Sequence, residues 1–127
     1  MIPAIRRELS IGYEEALARL PDVLATEGFG VLTEIDVAAT LKKKLGADFR
    51  RYKILGACNP VLAQRALGIE LDIGVMLPCN VIVYERDDGK ATVVAIDPMA
   101  TIAAQDPNLV PVATEVRARL GRVVAAL

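Results

Sequence analysis

Histidine and tryptophan are missing altogether from this 127-residue chain, and cysteine occurs only twice, at Cys58 and Cys79. Without an imidazole, Ser-His-Asp and Cys-His catalytic arrangements are excluded. Two thiols without histidine also fall short of the four ligands of a structural zinc site, which Glu34, Asp36 or a second subunit would have to complete. No metal and no cofactor is therefore expected, and the lack of a phosphate loop or a dinucleotide fingerprint removes the common nucleotide enzymes. Charge of one sign is lacking too: 15 basic side chains face 16 acidic ones, so no global field draws the chain to nucleic acid or an anionic membrane. The cluster Lys42, Lys43, Lys44, Arg50 and Arg51 has no interleaved aromatics and reads as a solvated helix end. No apolar run approaches the roughly 20 residues of a membrane span, and MIPAIRRELS lacks the apolar centre of a signal peptide. The expectation is a soluble, cytoplasmic protein with reduced thiols.

What is present is well-marked punctuation over a length that suits a single domain, 1–127. Ser10 is placed to cap a helix whose apolar positions Tyr13, Leu17, Leu20 and Leu24 form one stripe, with Gly28 as the left-handed residue beyond its end. Pro21 should bend or split that helix. FGVLTEI then reads as a strand ending at Asp36, which caps the short helix VAATLKKKL, closed by Gly46. Arg51 to Ala57 is the next strand, and Asn59-Pro60 supplies the cap and first-turn proline of a third helix ending near Gly68. Strands follow at Gly74 to Glu85 and Ala91 to Ile96, joined by the hairpin link ERDDGK. Asp97-Pro98 and Asp106-Pro107 open further helical segments. The last of these carries Val112, Val116, Leu120, Val123 and Leu127 on one face. A further strand is expected before Ser10, in IPAIRREL.

Strands separated by helices and then a hairpin predict an α+β, two-layer fold: a mixed sheet of about five strands with helices packed mainly on one face. GVLTEI, KILGA and VMLPCNVIVY are apolar at odd and even positions alike, where a sheet with one wet face would alternate. Helices on one side cannot cover both faces. A second copy of the chain is the simplest cover for the other, so a homodimer is expected.

Four separated blocks, GFGVLTEIDV, YKILGACNP, ALGIELDIGVMLPCNVIVYE and IDPMA, occur in an order that resembles the bacterial and archaeal domain-of-unknown-function family numbered 302. The resemblance covers nearly the whole chain. It implies a compact α+β, homodimer-forming domain and no established activity; Pro21 departs from the uninterrupted first helix of the family.

Two Cys-Asn dipeptides, ILGACNP and LPCNV, are the candidate site. Cys58 precedes a helix N-terminus, whose amides favour a thiolate, but a free cysteine is equally at home as a small buried hydrophobe. Cys79 follows Pro78, which marks an edge or a bulge. Asn59 and Asn80 offer hydrogen bonds to a small ligand, although Asn59 is also explained as a cap, and Gly56 allows close backbone approach or marks tight packing. Glu34 and Asp36 share one strand face with Leu32, an acid-base pair or merely a solvated residue and a helix cap. Two readings follow. One is a non-catalytic homodimer binding a small ligand or a protein partner with Cys58, Asn59, Cys79, Asn80, Glu34 and Asp36. The other is a thiol redox protein in which Cys58 reacts and Cys79 resolves.

Overall fold

The computed structural model describes residues 2–127. In order the elements are β1 (Ala4–Gly12), α1 (Tyr13–Thr26), β2 (Gly30–Asp36), α2 (Val37–Leu45), β3 (Tyr52–Cys58), α3 (Pro60–Ile69), a 3-10 turn (Leu71–Met76), β4 (Cys79–Glu85), β5 (Lys90–Ile96), a short 3-10 turn (Pro107–Leu109) and α4 (Val110–Ala126). The local chemistry explains most of these boundaries. Asp36 Oδ1 accepts from the Ala39 amide at 2.9 Å, and Gly46 ends α2 with φ +65°. Past α1, the Phe29 amide donates to the Leu24 carbonyl and the Gly28 amide to the Ala25 carbonyl, with Gly28 at φ +83°. That pair of bonds is a Schellman closure, completed by burial of Leu24 and Phe29 together.

Three local expectations are corrected. Ser10 does not cap α1, because pairing with β5 carries β1 on to Gly12, which stands at the cap position without a side-chain bond. Pro21 does not split α1: it is exposed, and the helix runs through it unbroken. β4 begins at Cys79 and not at Gly74, since Glu70 accepts from the Asp72 amide and winds residues 71–76 into a 3-10 turn. Pro78, with no amide to offer the ladder, sits just before the strand.

The sheet order is β1-β5-β4-β3-β2, and every neighbouring pair is antiparallel. The α+β class, the five strands and the helical layer are as expected; the mixed pairing is not. β1 and β2 run the same way, but α1 carries the chain from one edge of the sheet to the other, so they never lie side by side. α2 and α3 each bridge antiparallel neighbours.

Register assigns each strand residue to a face. Leu55, Val81 and Ala95 form one row with Ile5, and Val83 and Val93 belong to the next. These side chains, with Ala57 and Cys79, pack against Leu20 and Leu24 of α1 and Val116, Leu120 and Val123 of α4 in a single core. Arg7, on the same face, donates to the carbonyls of Val124, Ala125 and Leu127 at 2.8–3.0 Å and so ends α4. The opposite face carries Ile35, Ile54, Ile82 and Val94 in one row and Tyr52, Tyr84 and Thr92 in the next. No helix of the described residues is long and apolar enough to cross a membrane.

Candidate functional site

The turn from β3 into α3 brings part of the predicted site together. Cys58 is the last residue of β3, and Asn59 caps α3: its Oδ1 accepts from the Leu62 amide at 3.3 Å. Its Nδ2 donates to the Glu27 carbonyl at 3.2 Å. That carbonyl lies at the end of α1, where the Schellman closure leaves it outside the helical ladder. Arg119 Nη1 donates to the same oxygen at 3.1 Å, and the Arg119 guanidinium also holds Glu115 at 3.0 Å. One buried asparagine thus ties the start of α3 to the end of α1 and, through a shared acceptor, to α4.

Beside this tie is a cavity of about 40 Å³, walled by Phe29, Cys58, Asn59, Leu62 and Cys79 among others. A single water needs roughly 10–15 Å³ on that measure, so the space suits an occupant of a few heavy atoms. Cys79 stands directly across the ladder from Ala57. Burial, with the nearby Cys58 adding to it, pushes the Cys79 thiol up to about 11. Both cysteines are free thiols. On the other side of Asn59 an open cleft of about 280 Å³ is lined by Gly28, Leu62, Arg65, Glu115 and Arg119. Its cations are already engaged, since Glu115 pairs with both Arg65 and Arg119.

The remaining candidates lie elsewhere. Asn80 is exposed, opposite Gly56 on the face away from the helices, and does not line the cavity. Asp36 caps α2 and Glu34 pairs with Lys53 at 3.3 Å. Glu34 and Asp36 do share a side of β2, but Leu32 is the extra residue of a bulge between Val31 and Thr33 and stands apart from them. Gly56 faces Thr33 and Pro78 so closely that an added Cβ would lie 2.1 Å from Thr33 Oγ1 and 2.6 Å from Pro78 Cγ. Close packing, and no ligand, accounts for this glycine. Among the described residues no group of three or more His, Cys, Asp or Glu side chains is placed to hold a metal ion. Sequence reasoning missed Glu27, Arg65, Glu115 and Arg119. The only signal was the i,i+4 spacing of Glu115 and Arg119, which any exposed helix face displays.

A search of curated proteins finds no match. A crystal structure of an uncharacterized conserved DUF302 protein from Bacillus stearothermophilus is similar, with 34% identity over 96% of this chain and 95% of that one and a TM-score of 0.87. Residues 5–127 match the family model described as domain of unknown function DUF302, and the chain belongs to that family.

Proposed function

We propose that the chain is a homodimeric binding module that holds a small ligand where β3 turns into α3. The observation that carries this reading is that the cavity and the cleft share a wall, Asn59 and Leu62. The cavity suits an apolar group of a few heavy atoms, and the cleft offers polar side chains to the rest of the molecule. Its two free thiols fit a reducing, cytoplasmic setting. Binding is favoured over thiol exchange by the state of Cys79. A thiol held near 11 is ionised to only about one part in ten thousand at neutral pH, which slows it as a resolving nucleophile.

The test is a fragment screen by methyl-resolved NMR. Bound fragments should move the Leu62, Ala63 and Val116 methyl signals in a saturable way, and Ala63→Leu, which fills the cavity from its half-buried wall, should abolish the shifts. A library of small apolar and amphipathic fragments that leaves these signals unmoved would overturn the reading.

A further inference from the structure

The sheet face turned away from the helices has the build of an interface. Its central register row reads Ile35, Ile54, Ile82 and Val94 across four strands before ending at Arg6 on the β1 edge. One row along, Tyr52 and Tyr84 stack at 5.5 Å between ring centroids, and Phe49 flanks Tyr52 at 6.2 Å. Polar groups are confined to the margins. Arg6 and Glu8 pair with one another at 3.4 Å on β1, Asn80 and Thr33 lie on the far side of the aliphatic row, and Arg86 folds over Thr92. An apolar centre ringed by polar groups is the anatomy of a protein interface.

None of the central side chains is covered as the core is. Ile54, Ile82, Val94, Tyr52 and Tyr84 are half-buried, and Ile35 is 49% exposed. Phe49, beside Tyr52, is open as well, 50% exposed. Natural monomers do not leave so continuous an apolar surface in water without a use for it.

We infer that this face packs against the same face of a second copy, related by a two-fold axis that passes near Ile82 at the centre of β4. The inference rests on the homodimer part of the proposed function and names its surface. Size selects the occupant. Five strands about 4.8 Å apart and seven residues long at roughly 3.3 Å per residue give a patch of about 550 Å². Two such patches face to face remove about 1,100 Å², just above the roughly 1,000 Å² that a stable interface needs. Only a partner as broad and flat as the sheet covers the whole patch, and a single helix or peptide leaves most of it wet. Charge agrees with self-association, because Arg6 and Glu8 cancel within each copy and the centre holds no ion to be buried unpaired.

The experiment is light scattering at micromolar concentration on the wild type, Ile82→Lys and Val75→Lys. Val75 is 90% exposed on the 3-10 turn, so its lysine variant controls for the other exposed apolar surface. The expected result is a dimer for the wild type and Val75→Lys, and a folded monomer for Ile82→Lys. A dimeric, folded Ile82→Lys would overturn the inferred face while leaving the homodimer standing. A monomeric wild type would overturn both, and leave the face to a different partner. Hydroxyl-radical footprinting of the unmodified chain, concentrated and diluted, decides the matter should Ile82→Lys fail to fold. Ile54, Ile82 and Val94 should be protected several-fold in the concentrated sample, and equal labelling would overturn the inference.

Discussion

The two faces of the sheet are built from the same strands and nearly the same side chains, yet one is a core and the other is not. Leu55 and Ile54 are neighbours on β3, and Val81 and Ile82 are neighbours on β4; the first of each pair is buried and the second only partly so. Aliphatic content does not separate them. What does is the helical layer: α1 and α4 lie over one face, and no comparable pair lies over the other. Burial here is decided by connectivity, and the uncovered face keeps a hydrophobic driving force that has still to be satisfied.

Substitutions at paired positions break or sharpen this comparison. The largest effect is expected at Leu55→Ala and Gly56→Ala. The first opens a void in the core and should cost about 3 kcal/mol in a urea melt. The second forces Thr33 and the rigid Pro78 ring apart and should cost about as much, toward the upper end for overpacking. Ile54→Ala, one residue away on the other face, should cost only about 1 kcal/mol in dilute solution and more as the protein is concentrated. Equal costs for Leu55→Ala and Ile54→Ala at high dilution would mean that the second face is covered within one chain.

A smaller effect than those of Leu55→Ala and Gly56→Ala concerns the thiol at the margin of the core. The folded-state pKa of Cys79 is raised from 9.0 to about 11, so the folded state favours the protonated form. Its contribution is fully present below pH 9 and is lost as pH climbs toward 11, because the unfolded chain ionises first. Wild type should therefore lose about 2 kcal/mol more than Cys79→Ala between those limits in denaturant titrations. Parallel pH profiles would place the sulfur in contact with water. Smaller again is Asn59→Ala, which removes the α3 cap and the tie to Glu27 and should cost about 1 kcal/mol. Asn80→Ala, on the exposed side, should stay within about 0.5 kcal/mol of wild type in the monomer.

The legible parts of this fold are those in which local chemistry decides. Asp36 with Gly46, and Asn59 with Pro60, bound their helices where the sequence predicts, because capping is settled within four residues. The apolar stripes of α1 and α4 are buried as predicted for the same kind of reason, except Leu17 and Leu127, which are only partly buried. Where a distant partner decides, sequence reasoning failed. Ser10 has the chemistry of a cap, but the ladder with β5, some eighty residues away, holds it in a strand. The antiparallel order was hidden because strand direction depends on which edges a helix spans. At the candidate site, Cys58, Asn59 and Cys79 were visible as two Cys-Asn pairs, yet only a structure could separate Asn80 from them. Glu27 contributes a backbone carbonyl, which no side-chain motif records.

The route of α1 across the sheet has a consequence for how the chain becomes a protein. β1 and β2 are neighbours in sequence but occupy opposite rims, and among the described residues the only partner of β1 is β5. β1 must wait for β5 to be made, so a fragment of this domain that stops short of residue 90 gives β1 no ladder. Closing that long loop comes before the reward of its contacts, which makes folding slow for a domain of this size and postpones it until β5 has been made.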